Sequence, residues 1–179
     1  DTLKLMAAHV IARLYLVPTL YHDLLIELEN HPQTLASICR LGFAGASMSN
    51  GLLQNLAKAF PGVMTINHYG SSEIYTYTVT QDAARKPGSA GHAGLNSTIA
   101  VMPLASDDVT ARAKPGIEGQ VIALARSEEA FTGYLNRPDA DAAVFKNGWY
   151  LTGDVGYVDA QGDLFLTGRV DDMIITGGE

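Results

Sequence analysis

Residues 69–73, Tyr-Gly-Ser-Ser-Glu, directly follow an apolar stretch that reads as a strand. A glycine and two hydroxyl residues at a strand end let backbone N–H and side-chain O–H groups converge on an oxyanion. Glu73 adds a carboxylate suited to Mg²⁺, which favours oxygen ligands shared with phosphates. Tyr69 offers a flat face to a base. A polar turn with an exposed acid would look the same in sequence. Residues 43–47, Phe-Ala-Gly-Ala-Ser, end the preceding candidate strand. Small side chains there allow a ligand to approach the backbone closely, or simply permit a tight strand-to-helix turn. Two neighbouring strand ends of this kind fall where open α/β sheets place ligands. Further along, Asp154 closes the run Gly-Trp-Tyr-Leu-Thr-Gly-Asp. Its carboxylate suits a ribose diol, though a turn aspartate has the same signature. Arg169 supplies a donor fork. Asp171 and Asp172 beside it carry adjacent like charges, expected at the surface or at a junction between moving parts, and a weak surface ion pair is the plainer alternative.

The remaining reactive side chains narrow the chemistry. The five histidines lack metal-ligand spacing; His68, just before the 69–73 loop, is the one placed to line a pocket. Ser71 and Ser72 show no histidine-base arrangement, which argues against nucleophilic hydrolysis. Cys39 is the single cysteine, so a disulfide framework and a zinc cluster are excluded. It is expected as a core thiol in a reducing, cytoplasmic setting. A net charge of -7 argues against nucleic acid as main partner, since such binders gather Lys and Arg. The most apolar early run, residues 10–17, is short and interrupted by Arg13, so no membrane span is expected. No signal peptide is expected either, and Asp1 does not read as a natural start.

The elements that position these residues alternate over the first half. Residues 2–9 read as a helix, 12–18 as a short strand ended by Pro18, and 19–30 as a helix with Leu20, Leu24, Leu25 and Leu28 inward and Asp23 and Glu27 outward. Residues 37–46 form a strand running into small residues. Residues 49–62 form a helix with Ser49 or Asn50 as cap and Pro61-Gly62 as stop, followed by a strand over 63–70. This alternation predicts parallel pairing with right-handed crossovers. After residue 84 the pattern changes to short strands with turn punctuation, including a hairpin turning at Ala160-Gln161-Gly162-Asp163 and one helix at 138–145. The expected fold is α/β: a parallel sheet with flanking helices, then a small, mainly antiparallel, β-barrel-like subdomain. Boundaries are expected at 1–84, 85–170 and 171–179.

Taken in order, these stretches resemble the adenylate-forming superfamily of acyl- and aryl-CoA synthetases, luciferases and peptide-synthetase adenylation domains. The resemblance is carried by residues 86–91, by 69–73, and by 131–179 almost throughout; residues 168–179 are most similar to acyl- and aryl-CoA ligases. It implies an ATP- and Mg²⁺-dependent acid–CoA ligase. Such an enzyme joins a carboxylic acid to AMP with loss of pyrophosphate, then transfers the acyl group to CoA. By resemblance, Gly45, Ala46 and Ser47 border the adenine and Tyr69 packs on it. Gly70 and Ser71 belong to the nucleotide loop, Ser72 contacts the α-phosphate and Glu73 holds the metal. Asp154 and Arg169 hold the ribose, and Asp171 marks the hinge on which a C-terminal domain turns. The acyl pocket is expected among Ala44, Gly45, His68, Tyr75 and Thr76, and residues 176–179 are expected to help shape the thiol tunnel. The resemblance also implies a phosphate loop before Asp1 and a C-terminal domain after Glu179, each with a lysine. The 179 residues alone are therefore expected to be inactive. An adenylation domain loading a carrier protein, or a non-catalytic adenylate-binding module, would keep the same motifs.

Overall fold

The computed structural model describes residues 2–32 and 35–172. They divide into two compact units, each discontinuous in sequence. The first comprises residues 1–69 and 79–89; the second comprises 70–78 and 90–179.

The first unit is built on a parallel sheet. Strands β1 (Arg13–Leu16), β2 (Arg40–Phe43) and β3 (Met64–Tyr69) pair in that order, with Arg13 beside Arg40 and Arg40 beside Met64. Helices α1 (Thr2–Ala8), α2 (Pro18–Asn30) and α3 (Asn50–Ala59) alternate with them. Pro18 starts α2; it does not merely end β1. Its fixed φ suits the first helical turn, where its missing N–H costs nothing. Ser49 caps α3 by accepting a hydrogen bond from the Leu52 N–H at 3.2 Å. The core gathers Leu3, Met6, Tyr21, Leu24, Leu41, Phe43, Leu53, Leu56 and Phe60. In α2 the inward stripe runs through Pro18, Tyr21 and Leu24, whereas Leu20 is half exposed. Tyr21 can replace an aliphatic residue because its buried hydroxyl donates to the carbonyls of Gly42 at 2.8 Å and Leu14 at 3.2 Å. Burial pushes that phenol well above its ordinary pKa, and the nearby Tyr15 adds to the effect. Cys39 is exposed, contrary to the expected core thiol. Its N–H bonds the Ala12 carbonyl, and the buried side chain there is the preceding Ile38.

The second unit holds an antiparallel sheet. Strands β6 (Ile99–Met102), β7 (Gly119–Leu124), β9 (Trp149–Val158) and β10 (Leu164–Arg169) lie in the order β6-β7-β9-β10. Strand β5 (Ser89–Ala93) is next to β10, and β8 (Phe145–Lys146) pairs with β9. The sheet is open and not a closed barrel. The predicted hairpin is present, with Leu164 opposite Val158 and the turn closed by hydrogen bonds between Asp159 and Asp163. Helix α4 (Pro138–Val144) precedes β8. Met102, Val109 and Ile122 form a buried cluster covered by Trp149 and Leu151. The two-residue strand β4 (Thr78–Val79) lies at one of the points where the chain passes between units.

Candidate functional site

The second unit brings together most of the charged candidates. Ser71, Glu73 and Ile74 form a tight turn after β3: the Ser71 hydroxyl accepts from the backbone N–H of Glu73 at 3.1 Å and of Ile74 at 3.3 Å. The Ser71 N–H in turn donates to the Ile74 carbonyl at 3.0 Å. Gly70 makes the turn possible. A Cβ there would lie 1.8 Å from the Tyr75 carbonyl oxygen. The Ser71 hydroxyl is 2.8 Å from that of Tyr77, a fully buried phenol. Ile74, also fully buried, anchors the turn and bridges to Ala130.

Glu73 is half-buried and held from a distant part of the sequence. The Tyr134 hydroxyl donates to its Oε1 at 2.9 Å, and its backbone carbonyl accepts from Phe131 at 2.7 Å. Desolvation, the largest single influence, pushes the Glu73 carboxyl upward. Hydrogen bonds from Ser71, Tyr134 and its own N–H, with the charge of Arg169, outweigh that push and hold it below the ordinary carboxylate value. The group is thus kept as an anion. Burial drives Tyr77 and Tyr150 far upward, and the negative charge of Glu73 contributes to both. Both remain neutral hydrogen-bonding phenols.

Asp154 and Arg169 stand opposite each other on β9 and β10, and Arg169 Nη1 donates to Asp154 Oδ1 at 2.8 Å. A bulge between Leu166 and Gly168 sets that register. Asp154 is also fixed from behind, because its N–H donates to the Thr152 hydroxyl at 3.0 Å, and that buried hydroxyl bonds Val121. Asp171 lies in an exposed turn just past β10, as its charge demands. Ser72 and Tyr75 are exposed, and Thr76 is half-buried. The Thr76 carbonyl accepts from the Ser97 hydroxyl. Residues 176–179, expected to shape the thiol tunnel, lie outside the described residues.

The first unit carries the other candidates at the C-terminal ends of its parallel strands. Ala44, Gly45, Ala46 and Ser47 form the loop between β2 and α3, seated by buried Met48. His68 and Tyr69 end β3. His68 Nδ1 is hydrogen-bonded to the hydroxyl of Tyr15, whose side chain passes over Gly42. Tyr15 and Tyr134 are among the residues that sequence reasoning missed. Each contacts its partner across a long separation, and only the Gly-Tyr pair before the α4 proline hinted at Tyr134.

Among the described residues, no group of three or more His, Cys, Asp or Glu is arranged to hold a metal. A single well-held carboxylate nevertheless fits Mg²⁺, which keeps several waters and is shared with substrate phosphates. Glu73 would be its protein ligand.

The model of the AMP-binding enzyme family matches residues 1–135. A 4-chlorobenzoate–CoA ligase of Arthrobacter sp is 37% identical over 166 residues, covering 93% of this chain and 31% of that protein. A long-chain-fatty-acid–CoA ligase of Mycobacterium tuberculosis is 41% identical over 138 residues, 75% of this chain and 26% of the relative. The solved structure of O-succinylbenzoate CoA synthetase from Bacillus subtilis in complex with AMP has a TM-score of 0.83 at 27% identity. That likeness covers 100% of this chain and 35% of the synthetase. The chain thus spans between about a quarter and a third of the length of these relatives. The match over three quarters of its residues, with the α/β architecture and the loop at 69–73, shows that the chain belongs to the AMP-binding enzyme family.

Proposed function

We propose that these residues form part of the site of an ATP-dependent acid–CoA ligase. In the first half-reaction a carboxylate oxygen attacks the α-phosphorus of ATP. The bond to the bridging oxygen breaks and pyrophosphate leaves, giving acyl-AMP. In the second, the CoA thiol loses its proton and attacks the acyl carbonyl, and AMP leaves. The observation that carries this reading is Glu73, whose carboxylate accepts from the Tyr134 hydroxyl and whose backbone N–H donates to the Ser71 hydroxyl, in the same unit as the Asp154–Arg169 pair. The names of the relatives, aryl- and fatty-acid–CoA ligases, support it.

Glu73 would hold Mg²⁺, which neutralises charge on the phosphates. Ser72, exposed beside it, would donate to the α-phosphate. Asp154 would accept from the ribose hydroxyls and Arg169 would keep its carboxylate oriented. Gly45, Ala46 and Ser47 would border the adenine, with Tyr69 against its face. Gly70 and Ser71 would shape the phosphate loop. Ala44, Gly45, His68, Tyr75 and Thr76 would border the acid, and Asp171 would serve as the hinge. The lone cysteine and the nucleotide substrates fit a cytoplasmic setting. No helix among the described residues is long and apolar enough to cross a membrane.

The test is pyrophosphate release by the full-length gene product with ATP, Mg²⁺ and a panel of aryl and fatty acids, with and without CoA. Acid-dependent release coupled to acyl-CoA is the expected result. Release without CoA consumption would assign a carrier-protein thiol as acceptor. No release with any acid would overturn the ligase reading and leave a binding module.

A further inference from the structure

The site described above depends on a residue far from it in sequence. Tyr134 follows Gly133, which has φ +140°. A Cβ at Gly133 would lie 2.7 Å from Asp141 Oδ2. Only glycine combines that backbone angle with so close an approach. The Tyr134 N–H donates to Asp141 Oδ1 at 2.8 Å, so the first turn of α4 grips the Tyr134 backbone. The Tyr134 ring is fixed from the side by Phe131, edge-on with centroids 4.9 Å apart, and Phe131 in turn meets Tyr150 edge-on at 5.9 Å. The backbone at and just after Glu73 is tied to the same segment: Phe131 N–H to the Glu73 carbonyl, Tyr75 N–H to the Glu129 carbonyl, and the Ile74–Ala130 bridge. Both ends of the Tyr134–Glu73 hydrogen bond are therefore pinned.

We propose that Tyr134, itself held by Asp141, is a positioning residue that fixes the Glu73 carboxylate for the metal–nucleotide. The hydroxyl takes up Oε1 and fixes the carboxylate on a backbone that the Ser71 hydroxyl already holds through the Glu73 N–H, so that a bound metal finds its ligand already oriented. A carboxylate free to rotate would lose orientation entropy on binding, and this contact removes that loss. The inference rests on the ligase reading in one respect, the assignment of Glu73 to the metal.

The test uses the full-length gene product, Mn²⁺ as an electron-paramagnetic probe, and a non-hydrolysable ATP analogue, so no turnover is needed. Tyr134→Phe keeps the ring and its packing and removes only the hydroxyl. It is expected to weaken Mn²⁺–nucleotide binding about tenfold, the scale of one hydrogen bond to a charged group, and to broaden the Mn²⁺ signal. The concentration of Mg²⁺ giving half-maximal rate should rise, with a smaller change in kcat at saturating metal. Asp141→Asn, which keeps the size of the side chain, should weaken binding in the same direction by less. Equal Mn²⁺ affinity in wild type and Tyr134→Phe overturns this inference while leaving the ligase reading intact. Wild-type protein that binds no Mn²⁺–nucleotide overturns both.

Discussion

Replacing Gly70 by alanine tests whether the turn at 70–75 positions the site as described. The new Cβ would stand 1.8 Å from the Tyr75 carbonyl oxygen and 2.7 Å from its carbon. Both are main-chain atoms, so no rotamer change relieves the overlap. Moving the closest contact from 1.8 Å to 3.0 Å requires residues 70 and 75 to part by at least 1.2 Å. That separation would break the Ser71–Ile74 hydrogen bond that closes the turn and carry Glu73 away from Tyr134. Overpacking of this kind costs about 1–3 kcal/mol of stability. A misplacement of about 1 Å in catalytic geometry costs roughly a hundredfold in rate. Both are measurable on the full-length gene product, by thermal unfolding and by acid-dependent pyrophosphate release. Gly51→Ala is the control: nothing lies within 4 Å of its added methyl, and it sits in α3, where alanine is favoured by up to about 1 kcal/mol. A Gly70→Ala protein with wild-type Tm and rate would refute the claim that this turn is rigid and that it places Glu73.

Three further outcomes follow from the structure. Asp154→Asn should weaken nucleotide binding by about 1.5–3 kcal/mol, roughly tenfold to a hundredfold in Kd, read by calorimetry with AMP. An unchanged affinity would remove Asp154 from the nucleotide site. Leu56→Ala, at a fully buried position of the first-unit core, should cost about 2–5 kcal/mol in chemical unfolding, and a loss below that range would mean the core collapses around the gap. In an alkaline titration followed by phenolate absorbance, Tyr21, Tyr77 and Tyr150 should ionise only well above the ordinary phenol range. Because their folded-state pKa values are raised, the stability they contribute is complete below about pH 10 and declines as pH rises above it. Ionisation of these three phenols near pH 10 in the folded protein would contradict their burial.

Much of this fold is written in local pattern. The apolar runs at 13–16, 40–43 and 64–69, separated by helical periodicity, mark out a parallel sheet by themselves. Gln161-Gly162 marks the β9–β10 turn. Strand β5 is hidden because Ser-Ala-Gly-His-Ala has neither β-branched residues nor alternation. The inward role of Tyr21 is hidden because a phenol is buried readily only where carbonyls meet its hydroxyl, which periodicity does not encode. For the candidate site, residue types are legible and their pairing is not. The Asp154–Arg169 contact depends on a bulge in β10, and the Tyr134–Glu73 contact joins residues 61 positions apart.

The interleaving of the two units has a consequence for recombination. The chain leaves one unit for the other at three points, after residues 69, 78 and 89. No single crossover between related genes can therefore transplant either unit whole. A chimera joined between residues 74 and 133 would combine a turn from one parent with an anchoring segment from the other, so that Glu73 and Tyr134 came from different lineages. Exchange of specificity among relatives of this chain is thus expected to succeed with junctions placed before residue 70 or after the end of α4, where the turn and its anchor travel as one inherited block.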